Sequence, residues 1–365
     1  MISIGIIIPT MLSNKDLFNR MFDSLVKNIK YLNDKLPNLN IYILIILNEY
    51  NEIKEKQITE ILSHYNRDFA KIHLIKSRHN LGYAPSIYLA YHLTKNYIDY
   101  YVIMNDDIVI PYDHLIYSLL EHIKNDDKIV AISPVILNLN NPTKYDYAGA
   151  AGFYTDILLI PFASGRLNDI ILRYKRNITF LNLDCDVFMP SGAFMLVKNI
   201  KETIPDPLLL ITFEETDIGI RTLCNNYIIC VDKSNFVYHK GSSTIGNINS
   251  PKRIYYVFRN RVLLIIKYST LKYQIIFIPL IFLHDLIAAL YLSSINKFLI
   301  ISFIKAWVNI FRKYKFYLVT LDHSYRNCLP KLMKSNKIYK VPVNVHYMFL
   351  RIKYWRSWRN ILQYL

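Results

Sequence analysis

Two acidic clusters and one histidine in this chain have types and spacings that could do chemistry. The first cluster, Asn105-Asp106-Asp107, ends the apolar run Tyr101-Val102-Ile103-Met104. A β-branched, aromatic run of that kind forms a strand covered on both faces, so two carboxylates at its tip must reach solvent, a partner or a metal. The second cluster is "FEETDIGIR" (213–221), which sets Glu214, Glu215 and Asp217 at the start of a helical stretch. The histidine is His239, in "VYHKGSST" (237–244). Each has a plain structural reading as well. Asn and Asp favour turns and acids suit a helix N-terminus. Asp217 and Arg221 have the spacing of an i,i+4 ion pair.

The elements around these residues alternate. "SIGIIIPT" (3–10) reads as a strand and "LFNRMFDSLVKNIKYL" (17–32) as a helix. "NIYILIILN" (40–48) is a second buried strand, followed by a charged helix near 51–65 and a short strand "KIHLIK" (71–76). A turn and helix over 80–94 lead to the strand at 100–104, then a helix at 113–124 and a strand at 128–137. Such βαβαβ order predicts a parallel α/β sheet, whose ligands sit where strands deliver their C-terminal ends. After an irregular region (138–182), which contains "YAGAAGFYTD" and "FASGRLND", come a strand at 187–198, the acidic helix (213–227) and the strands "IICVDK" and "NFVYHKGSST".

With 365 residues and 52% hydrophobic content the chain can bury a large core. Tyr (30) and Phe (18) are abundant while Gly numbers nine, which excludes a linker-rich or disordered chain. The net charge of +16 is unevenly spread: residues 251–365 carry 20 Lys and Arg against only Asp285 and Asp322, leaving 24 basic and 26 acidic residues in 1–250. That break is the clearest domain signal, dividing a near-neutral module (1–250) from a basic, apolar tail (251–365). Cys185, Cys224, Cys230 and Cys328 show no C-x-x-C spacing, and ordinary reduced core thiols are expected. The N-terminal apolar run lacks a signal peptide's basic region and cleavage motif.

The segments "IIIPT", "NLGYA", "NDD", "SGAFMLVK", "FEETDIGIR", "VYHKGSST" and "YYVFRNRVLLIIKY", in this order, resemble family 2 glycosyltransferases of the GT-A fold. The rhamnosyl- and galactofuranosyl-transferase-like branch is the nearest in pattern, and the similarity runs from Ile4 to about Tyr268. The resemblance implies a Rossmann-like mixed sheet flanked by helices. It also implies an inverting, metal-dependent enzyme using a nucleotide-diphosphate sugar, with a saccharide or lipid-linked cell-envelope glycan as acceptor.

Residue by residue, the resemblance makes Asp107 the metal ligand of a D-x-D-type motif, with Asn105 in its first position and Asp106 lining the sugar pocket. His239 matches a second ligand. An imidazole beside a carboxylate suits Mn²⁺ better than Mg²⁺. Glu215 matches the general base, with Glu214 and Asp217 as alternates. Glutamate is one methylene longer than the usual aspartate. Pro9, Thr10, Asn80, Gly82, Tyr83 and Ala84 match nucleotide-contacting segments. Asn48 and Glu49 stand where the family reads the base, and Ser191, Gly192 and Ala193 match the acceptor-side strand. A nucleotidyltransferase on the same fold, or a catalytically silent scaffold attached to a membrane, are the rival readings.

The stretch 274–317 is strongly apolar but interrupted by Pro279, His284-Asp285 and Lys297, so its uncharged portions barely reach the ~18–20 residues needed to span a bilayer. Flanking cations and aromatics describe helices lying on the cytoplasmic face of a membrane, rather than a transmembrane hairpin near 275–311. The aromatic, basic end, "YMFLRIKYWRSWRNILQYL", fits a further surface helix. Basic residues interleaved with Tyr and Trp also occur in nucleic-acid grooves, but such a groove needs no continuous Ile, Leu and Phe run.

Overall fold

The computed structural model describes residues 1–65, 67–146, 152–163, 183–241, 250–294 and 296–342. Parts of both expected irregular motifs (147–151 and 164–169), the end of the His239 motif (242–244) and the expected surface helix (347–365) lie outside them. The first half alternates as the hydrophobic pattern predicts: β1 (Ile2–Thr10), α1 (Lys15–Lys35), β2 (Leu39–Leu47), α2 (Glu52–Ser63), β3 (Lys71–Lys76), α3 (Tyr83–Thr94) and β4 (Tyr100–Met104). There follow β5 (Ile108–Val109), α4 (Leu115–Asn125), β6 (Ile129–Asn138), β7 (Phe153–Thr155), β8 (Pro161–Ala163), β9 (Leu183–Asp184), β10 (Phe194–Lys198), α5 (Glu214–Cys224) and β11 (Ile228–His239). Four helices complete the described chain: α6 (Pro251–Tyr268), α7 (Leu271–Ser293), α8 (Phe298–Thr320) and α9 (Cys328–Lys334).

The main sheet has the order β3-β2-β1-β4-β10-β6-β11-β5, with β9 paired to β11. It is mixed rather than wholly parallel. β1 runs parallel to β2 and β4, whereas β10 runs antiparallel to both β4 and β6. Two segments read as separate strands are one, since β11 continues through an irregularity between Asp232 and Phe236. Only Phe194–Lys198 of the expected 187–198 strand joins the sheet.

One face of the sheet is covered by α1, α2 and α4 and the other by α3 and the helices from α5 onward. α1 starts where Asn14 caps it, its side chain accepting the Leu17 N–H at 2.9 Å. Its Phe18, Met21, Phe22, Leu25, Ile29 and Leu32 recur at three- and four-residue spacing and are buried against β1 and β2. Gly5 in β1 is required by close approach, because a Cβ there would lie 2.8 Å from the Tyr101 ring.

The cysteines correct the expectation of free thiols. Cys185 pairs with Cys230 and Cys224 with Cys328, and the described residues contain no free cysteine. Separations of 45 and 104 residues hide this pairing from any local spacing rule. The second bridge ties α5 to α9.

α5 is fastened to α6 by a buried ionic cluster. Asp217, fully buried, accepts from Arg221 Nη2 at 2.7 Å, Lys267 Nζ at 2.8 Å, the Asp206 N–H at 3.0 Å and the Tyr268 hydroxyl. The expected i,i+4 pair is thus present inside a larger network. Burial alone would raise the Asp217 carboxyl, but Arg221 and Lys267 outweigh it and hold the group down at about 2. Its folded pKa lies below the unfolded value, so its contribution is complete above pH ~4 and is lost as pH falls toward 2. Asp217→Asn leaves two buried cations short of a partner and should cost on the order of 3–5 kcal/mol at pH 7. Denaturant titrations at pH 7 and at pH 2.5 should show the gap between variant and wild type narrowing in acid; a variant equally stable at pH 7 would contradict this assignment.

Candidate active site

Sheet register builds the first half of the site. β10 opposes β4 with Phe194 facing Met104, so the residues just before β10 lie beside those just after β4. The Asn105 N–H accordingly donates to the Ala193 carbonyl at 3.0 Å. On the far side β5 pairs with β11, Ile108 facing His239, which sets Asp107 next to that histidine. Asp107 Oδ1 lies 3.1 Å from His239 Nε2, and the Asn105 amide nitrogen also lies 3.1 Å from it. The opposite ring nitrogen, Nδ1, is 2.9 Å from Asp146 Oδ1.

Asp146 has no mark in the sequence that would have singled it out. It fixes the ring so that Nε2 is the atom turned to Asp107, the orientation in which a carboxylate supports a metal-binding histidine. Burial works against charge on His239, but its bonds to Asp107 and Asp146 carry the imidazole up to about 10. Among the described residues no three His, Cys, Asp or Glu side chains form a ready-made metal cage. Asp107 and His239 are an oxygen and a nitrogen donor side by side.

Asp106 turns the other way and accepts from Thr10 Oγ1 at 2.6 Å, joining the tips of β4 and β1. Burial and the charge of Asp107 raise its carboxyl to about 7. Pro9 is half-buried at the end of β1. Asn48 is buried, and its amide joins the Leu81 N–H (3.1 Å) to the Ser86 hydroxyl (3.1 Å), so it holds the 80–86 turn. Glu49 beside it is exposed. Asn80 is exposed too, its Oδ1 accepting the Gly82 N–H at 2.9 Å. Gly82, at φ +89°, opens α3, and a Cβ there would meet the Leu210 carbonyl oxygen at 2.8 Å. Ala84 donates its N–H to that same oxygen at 3.1 Å.

The second half of the site is the start of α5. Glu215 lies against Gly192 so closely that a Cβ there would be 2.2 Å from its Oε1. The smallness of this position serves the glutamate itself. Ser191 and Ala193, both buried, hold the bend: the Ser191 N–H donates to Ser133 Oγ at 2.9 Å, and the Ala193 N–H to Ser191 Oγ at 3.2 Å. The Tyr83 hydroxyl donates to the Gly192 carbonyl oxygen. Burial, then the charges of Glu215, Glu214 and Asp107, raise the Tyr83 phenol far above its usual value, so one tyrosine senses both acidic clusters. Burial raises Glu215, and burial plus its neighbour raises Glu214 well above the carboxylate range; Arg253 at the start of α6 opposes both shifts.

The fold thus brings together Asp107, His239, Tyr83, Gly192, Glu214 and Glu215. Asp217, the third acid in the run, is spent in the cluster between α5 and α6.

The sequence profile of the family described as Glycosyl transferase family 2 matches residues 5–201, more than half of the chain. The chain belongs to glycosyl transferase family 2. Among solved structures, GalNAc-T7 with UDP, GalNAc and Mn²⁺ has a TM-score of 0.55 at 13% identity, over 76% of this chain and 50% of its own; the chain spans half the length of that relative. This likeness supports the GT-A fold. A mannosyltransferase, PcManGT from Pyrobaculum calidifontis, in complex with GDP-Man and Mn²⁺, has a TM-score of 0.46 at 10% identity, over 96% of this chain and 88% of its own. No curated protein matches the chain.

Gly192→Ala must push the Glu215 carboxylate aside, because 2.2 Å is far inside any non-bonded contact. For a residue in the base role that the family resemblance gives Glu215, displacement by an ångström costs about a hundredfold in rate. Turnover of the folded variant should therefore fall by one to two orders of magnitude; wild-type turnover would show that Glu215 does not need this position.

Proposed function

We propose that this glycosyltransferase moves a sugar, with inversion, from a nucleoside-diphosphate sugar to a hydroxyl of a lipid-linked or cell-envelope glycan. The observation that carries the reading is the seating of Glu215 at Gly192, next to the strand tip that bears Asp107. A base at the start of α5 and a candidate cation site at the tip of β4 are then neighbours. Asp107 and His239 are the residues that would hold a divalent cation, and the donor's phosphates would complete its coordination. Bound there, such an ion neutralises charge developing on the nucleoside diphosphate. The nitrogen of His239 and the neutral amide of Asn105 favour Mn²⁺ over Mg²⁺.

Glu215 accepts the proton of the acceptor hydroxyl as its oxygen bonds to the anomeric carbon, and the bond from that carbon to the diphosphate breaks in the same step. Burial that raises Glu215 strengthens it as a base near neutral pH. Glu214 beside it is raised as well, by burial and by the charge of Glu215. Thr10, Asp106, Gly82 and Tyr83 line the donor side. The motif pattern favours a deoxyhexose or galactofuranose donor of the rhamnosyl- and galactofuranosyl-transferase type.

The same reading puts the enzyme on the cytoplasmic face of a membrane. α7 turns Gln274 and Asp285, with Ile281 and Ala289, toward the protein, while Ile275, Ile276, Leu280, Leu283, Ile287 and Leu290 are exposed. Asp285 pairs with Arg261 of α6, and Gln274 accepts from the Tyr314 hydroxyl of α8 at 2.6 Å. α7 is also long and apolar enough to cross a bilayer. Exposed Lys297, Lys305, Arg312, Lys313 and Lys315 lie beside this face, each able to add about 1 kcal/mol of attraction to anionic lipid. A helix pair lying in the interface accounts for both the inward polar groups and the outward apolar ones.

Nucleotide release from UDP-, GDP- and dTDP-sugars, with a membrane extract as acceptor source, tests the reaction. It should need the extract and Mn²⁺, and fall at least a hundredfold in Asp107→Ala and Glu215→Gln. Full activity in either variant would remove that residue from the mechanism. For the address, the enzyme should float with vesicles containing anionic lipid and much less with neutral ones; equal binding to both, or none, would refute it.

A further inference from the structure

The loop before α5 holds a backbone that its own sequence does not favour. Leu210, Thr212 and Phe213 have φ of +62°, +64° and +69°, and none of them is glycine. Left-handed φ is uncommon for such residues and most unfavourable for β-branched Thr212, so it persists only where the surroundings impose it. The imposing groups come from α6. Asn260 Nδ2 lies 2.6 Å from the Leu209 carbonyl oxygen, 2.7 Å from that of Ile211 and 2.9 Å from that of Thr212. The Arg259 guanidinium donates to the Leu208 carbonyl. The remaining carbonyl, that of Leu210, is taken by the Ala84 N–H at 3.1 Å.

The carbonyls of Leu208 and Leu210 thus have outside donors of their own, and those of Leu209, Ile211 and Thr212 share the two N–H groups of Asn260, Leu209 also accepting from the Ile211 N–H at 2.7 Å. Asn260 is fully buried, and its own Oδ1 has no partner among the described residues, so its donor side alone aligns the amide. The loop ends at Phe213, the N-cap of α5, and the next two residues are Glu214 and Glu215. Asn260 and Glu215 do not need to touch for one to orient the other.

We infer that Asn260 is a positioning residue for glycosyl transfer: by gathering three carbonyls of the left-handed loop 208–213 it sets the angle at which α5 presents Glu215 to Gly192. The inference rests on the assignment of Glu215 as base. Arg259 supports the entry of the same loop, and Ala84 links it to the donor side, so the loop joins both halves of the site.

The test uses the full-length enzyme and whichever of UDP-glucose, UDP-galactose, GDP-mannose or dTDP-rhamnose the wild type turns over with Mn²⁺ and membrane extract. Asn260→Ala should lower kcat at least tenfold while leaving KM for that donor within about threefold. Combined with Glu215→Gln it should add no more than about threefold to the loss, because both changes act through one group. If Glu215→Gln keeps wild-type kcat, the base assignment fails. If Glu215→Gln is impaired while Asn260→Ala keeps its kcat, or the two losses multiply, the positioning role is overturned and the base assignment stands. Should Asn260→Ala not fold, Asn260→Ser replaces it; its hydroxyl with a water satisfies part of the loop without reaching all three carbonyls. A measurement independent of the donor is amide hydrogen exchange. Protection over 208–216 should drop at least tenfold in the variant while β1 and β4 stay unchanged, and unchanged exchange in 208–216 would overturn the proposal.

Discussion

Reversal of β10 between β4 and β6 is the constraint from which the geometry of the site follows. In an all-parallel sheet, neighbouring strands deliver their C-terminal ends to one rim, where ligands bind. Because β10 runs the other way, its beginning reaches that rim, and the bend at Ser191-Gly192-Ala193 stands beside Asn105. A glycine in that bend leaves a space that the first turn of α5 fills with the Glu215 carboxylate. Without the reversal, Lys198 would occupy the rim, and the acidic helix would have no seat next to the strand tip.

α5 shows two treatments of buried charge within one turn. Asp217 is surrounded by Arg221, Lys267 and Tyr268, and its proton is held off far below the usual range. Glu214 and Glu215, three and two residues earlier, have Arg253 as an opposing charge and are pushed the other way by burial. A carboxylate with matched cations is part of the frame, while one left partly uncompensated keeps a proton affinity useful for chemistry. His239 is likewise set by its surroundings, being clamped between Asp107 and Asp146.

The sequence made the first half of the fold legible because its signals are local. Strands of Ile, Leu and Val alternate with amphipathic helices, and β3 and β4 have the bounds their composition predicts. What it hid depends on residues far apart. The direction of β10 is a matter of pairing with β4, where Phe194 faces Met104 about 90 positions earlier in the chain. The same holds for both disulfides and for Asp146, whose partner is 93 residues distant. Asn48, expected among the nucleotide contacts, has an amide committed to the turn at 81–86. The i,i+4 spacing to Arg221 was the one local mark that set Asp217 apart from Glu215; Lys267 and Tyr268 of α6, which complete its cluster, lie some 50 residues further on.

Arg259, Asn260 and Arg261 are consecutive on α6, and the first two hold the loop before α5 while the third holds Asp285 of α7. The break in charge near residue 250 therefore marks a change of composition inside a continuous mechanical unit. A recombinant fragment cut before Pro251, the obvious choice for a water-soluble catalytic piece, would strip four loop carbonyls of their donors and uncover the apolar underside of the sheet. Cutting after α6 would instead strand Arg261 without its carboxylate. Solubility is better sought by replacing outward side chains on α7 and α8 than by shortening the chain.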